Sequence, residues 1–471
     1  MTALAEADAV ATPLLDALAA ILGAGGVVRG ADLERRDPGL FMPPSQAVAV
    51  LRPTTTEQIS RLLTLCNEHG QPVVIQGGMS GWVRGTQTRS GDLVLSLERM
   101  NAIECLDPVN RTATVQAGVI LQALHDAAEA ESLCFPVDLG GRGSCQVGGN
   151  AATNAGGIQV VRYGMMREQI LGLEVVLADG RIISSMNQMI KNNAGYDLKH
   201  LFIGSEGTLG VITRLVLRLR ERPTSTSTAL ASAQSFDRLT RLFRHMDAAL
   251  GGTLTAFELI DNAFYRVNTE QGRHAPPLPR DRPFYAIVEA NGADHSHDRE
   301  VFERALTQAI ELELIDDAVL AGSERERREI WDVREDLEHV VRDFQPFYAF
   351  DVSLPLADMV DYMEAVKARL ASDWPGAAVA FLGHMGDGNL HVAVGAGGAE
   401  DRHGVEACVY EPLRRIGGSV SAEHGIGLEK KAWLDISRNA AERDLMVQIK
   451  AMLDPRNILN PGKVLDGIAS T

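Results

Sequence analysis

The stretch "PVDLGGRGSCQVGGNAATNAGG", residues 136–157, decides the fold class that we predict for this chain. Seven of its 22 residues are glycine. Glycine accepts positive φ angles and lets backbone N–H groups approach a ligand, and successive N–H groups in turns form anion-binding nests. A second segment of this kind, "PVVIQGGMSGWVRGT" at residues 72–86, begins with a strand-like run. Together the two segments predict a cradle for a pyrophosphate group.

The standard nucleotide-binding motifs are missing from these segments. Neither contains G-x-G-x-x-G, and the chain has no G-x-x-x-x-G-K-[ST], so the predicted site is neither a Rossmann nor a Walker site. Either segment alone is explained equally well by tight turns. Two of them favour a ligand, because they are also rich in hydroxyl and amide side chains: Ser80, Ser144, Asn150, Thr153 and Asn154. A third glycine-rich stretch, "GSEGTLG" at residues 204–210, precedes another strand-like run.

The surrounding sequence predicts an α+β protein with at least two domains. Short β-like runs alternate with helical patterns from about residue 46 to 220, including a helix within 52–70 that has a threonine-rich start and a glycine stop. Polar and β-branched residues at 220–229 predict a domain boundary. Strands and amphipathic helices alternate again beyond it, and residues 323–344 predict one highly charged helix.

Composition excludes several classes of protein. The net charge is −17 and the pI is near 5.2, which argues against a nucleic-acid binder or an anionic-membrane binder. The five cysteines are odd in number and form no CxxC pair, so a disulfide framework or thiolate zinc site is disfavoured and a reducing compartment is favoured. The N-terminus lacks a basic n-region, and no uncharged apolar run reaches transmembrane length. We therefore expect a cytoplasmic protein.

Histidine and carboxylate residues in two glycine-bounded turns predict a metal site. "GHMGDGNLH", residues 383–391, carries His384 and His391, and its glycines favour a strand-loop arrangement over a helix. "GGSVSAEHGIG", residues 417–427, carries Glu423 and His424. Imidazole and carboxylate ligands together suit Zn²⁺ or Mn²⁺, and two histidines with one glutamate leave positions open for a substrate. His424 is either a fourth ligand or a base beside the metal.

These motifs, in this order, resemble those of the flavin-dependent 2-hydroxy-acid dehydrogenases of the vanillyl-alcohol oxidase superfamily. The likeness is greatest to D-2-hydroxyglutarate dehydrogenases, with D-lactate dehydrogenases and glycolate oxidase flavoprotein subunits nearby. It covers roughly residues 45 to 465 and includes the terminal "NPGKV". The resemblance implies a two-part FAD-binding domain with an α+β substrate (cap) domain. The implied boundaries are 1–45 for an N-terminal helical segment, 46–222 for the FAD-binding domain, 223–425 for the cap with the metal site, and 426–471 for a C-terminal segment returning to the FAD domain.

The resemblance also implies roles for individual residues. His384, His391 and Glu423 match the metal ligands, His424 the catalytic base, and Arg334 and Asn389 the substrate-binding residues. The first glycine loop, residues 76–82, contains no histidine, so we expect non-covalent FAD. The residues expected to line the FAD are Gln76, Gly77, Gly78, Met79, Ser80, Gly81, Trp82, Asp138, Leu139, Gly143, Ser144, Gly148, Gly149, Asn150, Thr153, Asn154, Gly156, Glu206, Gly207, Gly210, Ile212 and Asn460.

Two positions depart from the pattern of D-2-hydroxyglutarate dehydrogenases. Ala349 stands where those proteins usually have a lysine, and Glu338 where a small hydroxyl residue is expected. Both positions help to hold the second carboxylate of the diacid in the relatives. Loss of the lysine and gain of a carboxylate should weaken binding of a distant anionic group. A monocarboxylate or an acid with a different tail is therefore an alternative substrate.

We expect an enzyme that oxidises a D-2-hydroxy acid to the 2-oxo acid by hydride transfer to flavin N5. The alternatives are a flavoprotein subunit of a glycolate-oxidase-type electron-transfer complex, a metal hydrolase with structural glycine loops, and a flavin-binding protein without catalysis. The expected electron acceptor is an electron-transfer flavoprotein or a quinone, with oxygen also open. We expect no nucleic-acid partner. A homodimer is compatible with the sequence, which leaves the oligomeric state open.

Overall fold

The computed structural model describes residues 2–39, 42–270 and 273–466, with side chains described from residue 12 onward. The chain forms two compact units. The first unit comprises Met1–Ala155, Met165–Arg222 and Glu423–Thr471, and the second comprises Gly156–Gly164 and Pro223–Ala422. Each unit mixes helices with sheet, as the predicted α+β class requires.

The first unit contains two main sheets and one short strand pair. Its strands are β1 (Val27–Val28), β2 (Ala49–Leu51), β3 (Val73–Gln76), β4 (Leu93–Ser96), β5 (Ile103–Asp107), β6 (Thr112–Gln116), β7 (Leu133–Cys134), β8 (Ile170–Val176), β9 (Ile182–Ser185), β10 (Val211–Arg218) and β11 (Arg220–Glu221). The main sheets have the strand orders β1-β2-β4-β3 and β5-β6-β10-β8-β9, and the short pair is β11-β7.

The second unit is built on one antiparallel sheet of seven strands. Its strands are β12 (Ser225–Ala233), β13 (Leu254–Asp261), β14 (Phe284–Gly292), β15 (Asp317–Leu320), β16 (Phe347–Ser353), β17 (Ala378–His384) and β18 (Asn389–Gly395). Their order across the sheet is β15-β12-β14-β13-β17-β18-β16.

Both units also contain helices. In chain order they are α1 (Thr2–Leu22), α2 (Ala31–Glu34), α3 (Thr56–His69), α4 (Leu121–Ala130), α5 (Val147–Thr153), α6 (Val160–Tyr163), α7 (Met166–Gln169), α8 (Lys199–Phe202), α9 (Phe236–Leu250), α10 (Asn262–Thr269), α11 (His295–Glu311), α12 (Glu324–Glu335), α13 (Glu338–Asp343), α14 (Met359–Asp373), α15 (Arg402–Ile416), α16 (Leu434–Ser437) and α17 (Ala440–Leu453). Of these, α6 and α9 to α15 belong to the second unit.

Helix α3 forms where the sequence predicts a helix. The Thr55 side chain accepts a hydrogen bond from the Gln58 N–H at its start, and Gly70 ends it in the left-handed conformation with φ 62°. Its buried face carries Ile59, Leu62 and Cys66. The helix connects β2 to β3, and both strands run parallel to β4. The first glycine loop therefore begins at the carboxyl end of a parallel strand.

The C-terminal segment completes the edge of this parallel sheet. Val73, on the edge strand β3, donates its N–H to the Ile458 carbonyl oxygen at 2.7 Å, and its own carbonyl accepts from the Asn460 N–H at 3.0 Å. Leu459 thereby forms a parallel bridge with Val73. Ile458 and Leu459 are both fully buried in the core of the first unit. Residues near 460 therefore return to the first glycine loop because their backbone pairs with β3.

One hydrophobic core of the second unit lies against one face of the sheet, at strands β13, β17 and β18. Ala256, Ile260 and Leu382 contribute from the strands, and Trp331 and Val340 from helices α12 and α13. The apolar spacing of the helical residues buries one face of each helix and leaves its charges outward. This packing holds α12 over the strands that carry His384 and His391.

Residues 323–344 form two helices, so the single predicted helix is wrong. Helix α12 ends at Glu335 and α13 begins at Glu338. Asp336, between them, has an extended backbone with ψ 100°, and its side chain accepts a hydrogen bond from the Glu338 N–H at 3.0 Å. Aspartate competes in this way with the helical hydrogen-bond pattern. Across the described residues, no helix has both the length and the apolar character needed to cross a membrane.

Candidate active site

A β-hairpin brings His384 and His391 together. Strand β17 ends at His384, a turn of 3-10 helix covers Met385–Asp387, and β18 begins at Asn389. In this register Leu382 lies opposite His391, so both imidazoles project from the same sheet face. Their ring centroids are 5.3 Å apart and their planes make an angle of 82°. The predicted strand-loop arrangement is confirmed, and no helix spans the two histidines.

Two glycines make this hairpin possible. A Cβ atom on Gly383 would lie 2.4 Å from the Asn389 carbonyl oxygen, so the two strands approach more closely than any side chain allows. Gly388 has φ +80°, and a Cβ there would also lie 2.8 Å from the Leu354 carbonyl oxygen. The sequence requires glycine at both positions for steric reasons. Local chain geometry therefore sets the separation of the two imidazoles.

A buried carboxylate, Glu258, lies behind His384. Its Oε1 is 2.8 Å from His384 Nδ1, and in the sheet the two residues pair across β13 and β17. Burial alone would raise the pKa of the Glu258 carboxyl, but His384 and Arg334 outweigh burial and the pKa is lowered. An ionised carboxylate only accepts hydrogen bonds, so Nδ1 is the donor. The Nε2 atom of His384 is then the lone-pair nitrogen available to a metal.

A second buried carboxylate, Asp351, lies beside His391. Its Oδ1 is 3.8 Å from His391 Nδ1 and accepts a hydrogen bond from Asn389 Nδ2 at 2.8 Å. Its Oδ2 accepts from the Ala422 N–H at 3.2 Å. Asp351 is fully buried. It therefore ties the hairpin to Ala422, the residue that immediately precedes Glu423 in the chain.

The donor set of His384, His391 and Glu423 fits a divalent metal. Each residue offers one ligand atom, and the three atoms lie within 4.8 Å of one another. Two neutral imidazole nitrogens and one carboxylate oxygen suit Zn²⁺ or Mn²⁺, and three protein ligands leave room for a substrate in the coordination sphere. Carboxylates behind the imidazoles are the usual support for such ligands. The chemistry of the donor set supports the sequence prediction, and the metal itself stays a prediction.

Arg334 is largely buried, with 12% of its side chain exposed. Its Nε donates to Glu258 Oε2 at 2.9 Å. Its Nη2 atom is buried and has no hydrogen-bond partner among the described residues. A buried guanidinium nitrogen without an acceptor is costly unless a ligand supplies one. Arg334 is thus suited to bind a carboxylate, although a surface position was the simpler interpretation of its charged sequence context.

Asn389 is also buried, with 4% exposure. Its Nδ2 donates to Asp351 Oδ1 and, at 3.0 Å, to the Val352 carbonyl oxygen. Its Oδ1 is buried without a hydrogen-bond partner in the described part of the chain. The amide nitrogen is therefore committed to the fold. The oxygen is the atom that could accept a hydrogen bond from a ligand.

His424 belongs to the first unit and follows Glu423 directly in the chain. Its imidazole stacks on the Trp82 indole, with ring centroids 5.6 Å apart and planes inclined by 9°. Trp82 lies in the first glycine loop, among the residues predicted to line the FAD. The stack fixes the plane of the predicted base against that loop.

The two glycine-rich loops approach each other at backbone distance. A Cβ atom on Gly78 would lie 2.0 Å from the Ser144 carbonyl oxygen, so the loops could not pack in this way with any other residue there. Gly81, Gly143 and Gly149 have open space where a Cβ would be. Packed backbone on one side and open space on the other form the kind of cradle that a pyrophosphate requires. The loops therefore fit FAD.

Packing explains some of the other predicted FAD residues. A Cβ on Gly148 would lie 2.5 Å from the Ala117 Cβ, and one on Gly210 would lie 2.5 Å from Val175 Cγ1. Ile212 is buried in β10. The Asp138 carboxylate pairs with Arg142 at 2.7 Å. These residues shape the site through the fold, and a direct contact with FAD stays a prediction for each.

The side chains of Gln76, Thr153 and Asn154 are likewise engaged by the chain. Gln76 Nε2 donates to the Thr86 carbonyl oxygen at 3.1 Å. Thr153 Oγ1 donates to the Gly149 carbonyl oxygen at 3.1 Å, and Asn154 Oδ1 accepts from the Arg167 N–H at 2.9 Å. The remaining positions have these conformations or exposures: Met79 with φ 53°, half-buried Gly77, Ser80 and Leu139, exposed Ser144, buried Asn150 and Gly207, and Gly156, which belongs to the second unit.

Glu206 and Asn460 hold the third glycine-rich stretch to the C-terminal segment. The half-buried Glu206 carboxylate accepts from the Ile426 and Gly427 N–H groups at 2.7 and 2.8 Å. Burial raises the pKa of this carboxyl despite those two bonds. Asn460 Nδ2 donates to the Glu206 carbonyl oxygen at 2.6 Å, and its Oδ1 accepts from the Ile75 N–H at 2.9 Å. Both residues join the predicted FAD loops to one another.

The sequence interpretation missed three buried charged residues, Glu258, Asp351 and Lys463. Glu258 stands in "LTAFELID", a strand whose residues are all buried. A lone glutamate in such an apolar strand is a usable indication, because charges are rarely buried unless they are paired. Lys463 is 4% exposed, and its Nζ has no hydrogen-bond partner within the described ranges. Burial lowers the pKa of Lys463 to about 7.

Comparisons with known proteins agree with this geometry. Residues 222–464 match the family described as FAD linked oxidases, C-terminal domain, and residues 47–185 match the family described as FAD binding domain. Mitochondrial D-2-hydroxyglutarate dehydrogenase of Bos taurus is 39% identical over 442 residues, covering 91% of this chain and 80% of that protein. The D-2-hydroxyglutarate dehydrogenase of Xanthomonas citri pv. viticola is 38% identical over 426 residues, covering 89% of each chain.

A Schizosaccharomyces pombe protein whose name proposes a mitochondrial D-lactate dehydrogenase is 39% identical over 426 residues, covering 88% of this chain and 81% of that protein. Among solved structures, p-cresol methylhydroxylase aligns with a TM-score of 0.76 at 17% identity and covers 97% of both chains. Alkyldihydroxyacetonephosphate synthase aligns with a TM-score of 0.71 at 16% identity, over 96% of this chain and 84% of that one. At these identities the two structures show the fold alone.

The predicted fold of vanillyl-alcohol oxidase type is confirmed by these structures, and FAD is the cofactor that the matched families bind. The prediction of an oxidoreductase is confirmed as well. The chain belongs to the FAD-linked oxidases, and its relatives within that family are named as D-2-hydroxyglutarate and D-lactate dehydrogenases.

Proposed function

We propose that this protein is an FAD- and divalent-metal-dependent dehydrogenase that oxidises a D-2-hydroxy acid to the corresponding 2-oxo acid. The observation that carries the proposal is the donor set of His384, His391 and Glu423, whose ligand atoms lie within 4.8 Å of one another. Two supporting carboxylates and a buried arginine with an unpartnered nitrogen surround it. Relatives named as D-2-hydroxyglutarate and D-lactate dehydrogenases support the substrate class.

The chain's own residues bind and orient the acid. Arg334 offers its unpartnered nitrogen to the substrate carboxylate, which a guanidinium binds strongly. Asn389 contacts the bound acid, and the single hydrogen of the substrate hydroxyl is left to His424. His384, His391 and Glu423 hold Zn²⁺ or Mn²⁺, which when bound lowers the pKa of the 2-hydroxyl group.

His424 takes the hydroxyl proton as general base, since an imidazole is neutral and basic near pH 7. Its stack on Trp82 keeps the ring in one plane during this transfer. The glycine-rich loops would hold FAD non-covalently, and the bound flavin would supply the acceptor for the C2 hydride at N5. The products of the balanced step are the 2-oxo acid, reduced flavin and protonated His424.

D-2-hydroxyglutarate and D-lactate are the leading substrates. Ala349 and Glu338 are both exposed to solvent. Water screens the charge of an exposed carboxylate, so Glu338 opposes a distant anionic group less than its charge alone implies. Without a lysine at position 349, a diacid loses one attraction. A diacid and a short monocarboxylate are therefore both tested.

The reoxidant that we propose is an electron-transfer flavoprotein or a quinone, and a homodimer is the simplest assembly. The cytoplasm is the proposed compartment, on the evidence of the cysteine content. The names of the bovine and yeast relatives carry the word mitochondrial, which makes the mitochondrion the alternative.

The test is anaerobic bleaching of the bound flavin by a panel of D- and L-2-hydroxy acids. We expect D-2-hydroxyglutarate or D-lactate to bleach the flavin and their L-enantiomers to leave it oxidised. Treatment with a chelator should abolish bleaching, and Zn²⁺ or Mn²⁺ should restore it. Bleaching at an unchanged rate in chelated protein would overturn the metal assignment, and a panel without any active acid would overturn the substrate class.

A further inference from the structure

Glu258 joins two parts of the proposed site that bind different groups. Its Oε1 accepts from His384 Nδ1 at 2.8 Å, and its Oε2 accepts from Arg334 Nε at 2.9 Å. The residue is completely buried. A buried carboxylate with each oxygen on a different partner cannot move towards one without lengthening its bond to the other. A single buried side chain thus contacts both His384 and Arg334.

The orientation of Arg334 follows from this contact. Because Nε donates to Glu258 Oε2, the guanidinium plane is fixed, and Nη2 lies on the same edge of the guanidinium as the Nε–H. That nitrogen is the buried atom without a partner among the residues described. The contact with Glu258 therefore fixes the orientation in which the guanidinium meets a ligand.

We propose that Glu258 is a positioning residue that links metal binding at His384 to carboxylate binding at Arg334. The inference rests on the proposed function, which supplies the metal and the carboxylate. A metal held by His384 would polarise the Nδ1–H bond and strengthen its hydrogen bond to Oε1. Charge is drawn towards Oε1, so Oε2 neutralises Arg334 less. Arg334 then attracts a substrate carboxylate more strongly, and the two affinities rise together.

A purely structural role is the alternative, and the same unit provides a matched residue for it. Glu289, on the adjacent strand β14, is 2% exposed. Its carboxylate accepts from Arg327 at 2.8 and 3.0 Å and from Trp331 Nε1 at 2.9 Å. It resembles Glu258 in burial and in its arginine partner. None of the contacts described for it involves an imidazole.

The experiment compares FAD-loaded wild type with Glu258→Gln, Glu258→Asp and Glu289→Gln. Glutamine keeps the shape of Glu258 but has one acceptor oxygen, so it satisfies either His384 or Arg334 and faces the other with an amide NH2. Zn²⁺ affinity is measured by competition with a chromophoric chelator. The affinities of pyruvate and 2-oxoglutarate are measured from the perturbed flavin spectrum, with and without Zn²⁺.

We expect Glu258→Gln to weaken Zn²⁺ binding by about 10- to 100-fold and to reduce the factor by which Zn²⁺ tightens 2-oxo acid binding. Zn²⁺ can coordinate the 2-oxo acid directly in every variant. A difference between variants in the factor by which Zn²⁺ tightens 2-oxo acid binding therefore measures the effect of Glu258. Glu258→Asp keeps both acceptors and should recover part of both effects. Glu289→Gln should leave both close to wild type.

The proposal is overturned if Glu258→Gln binds Zn²⁺ with wild-type affinity and keeps the full effect of Zn²⁺ on 2-oxo acid binding. It is also overturned if Glu289→Gln changes both quantities as much as Glu258→Gln does. If Glu258→Gln does not retain FAD, its Zn²⁺ affinity still decides, because that competition needs no flavin, and a wild-type Zn²⁺ affinity contradicts the link. Zn²⁺ competition needs no turnover, so an inactive substrate panel would overturn the proposed function while leaving this test readable.

Discussion

The imidazole of His424 lies nearly parallel to the indole of Trp82, at 5.6 Å between ring centroids and 9° between planes. The two residues are far apart in the chain, and each belongs to a different predicted motif. One is the proposed base, and the other ends the first glycine loop. The stack thus relates the group that takes a proton to the loop predicted to bind FAD.

Replacing His424 with alanine should leave FAD bound and lower the rate of flavin bleaching by about 10²- to 10⁴-fold, the usual contribution of a general base. Stopped-flow absorbance under anaerobic conditions measures this rate. Trp82→Phe keeps an aromatic face and should cost much less than Trp82→Ala. A normal bleaching rate in His424→Ala would show that another group takes the proton.

Arg334→Lys should raise the KM for the 2-hydroxy acid by about 10- to 100-fold with a smaller effect on kcat, because lysine keeps the charge but loses the planar edge. Steady-state kinetics with an artificial electron acceptor measures both constants. Arg327→Lys is the matched control, since Arg327 makes the corresponding ion pair with Glu289. Equal KM values for wild type and Arg334→Lys would remove Arg334 from the substrate site.

Gly388→Ala should lower both thermal stability and Zn²⁺ affinity. An alanine with φ +80° is strained by about 1 kcal/mol or more, and its Cβ would meet the Leu354 carbonyl oxygen at 2.8 Å. Gly376→Ala is the control, because Gly376 has φ +94° but open space around its Cβ position. Differential scanning fluorimetry and chelator competition give the two quantities. We expect a loss of Zn²⁺ affinity only in Gly388→Ala, and equal losses in the two variants would contradict a steric role for the hairpin turn.

The stability of the FAD-free protein relative to Lys463→Met should rise with pH between about 7 and 10.5. Burial lowers the pKa of Lys463 from 10.5 to about 7, so between these values the unfolded chain holds one more proton than the folded chain. Stability then increases with pH, by at most about 1.4 kcal/mol per pH unit for one proton. The stability gained through deprotonation of Lys463 is fully present above pH 10.5 and is lost as the pH falls through 7.

The measurement is the difference in thermal midpoint between wild type and Lys463→Met across this pH range. Subtraction removes the titration of groups that the two proteins share. A difference that does not change with pH would show that Lys463 keeps its ordinary pKa in the folded protein.

Local patterns in the sequence predicted the features that depend on neighbouring residues. Threonine and glycine mark the ends of α3, and the glycines of residues 383–391 predict the hairpin turn. The proposed metal ligands were singled out because histidine and glutamate in glycine-bounded turns have few structural uses. In each case the decisive residues lie within one helix or one short turn of the chain.

Pairing across the sheet could not be predicted in the same way. Glu258 and His384 are 126 residues apart and meet only because β13 and β17 are neighbours. The sequence contains no indication of that strand order, so the carboxylates behind the imidazoles were missed. The burial of Arg334 could not be predicted either, because it depends on which strands α12 packs against. The break at Asp336 is a local feature that the helical charge pattern concealed.

The order of synthesis gives the pairing of Val73 with Leu459 a further consequence. A ribosome delivers the chain from its N-terminus, so the whole second unit emerges before Glu423–Thr471, the last part of the first unit. Until then the outer edge of β3 lacks its partner, and the first glycine loop lacks Asn460. In the nascent FAD-binding unit, the outer edge of β3 therefore stays unpaired until the last part of the chain is synthesised. Loading of the cofactor is expected to be among the last events in its maturation.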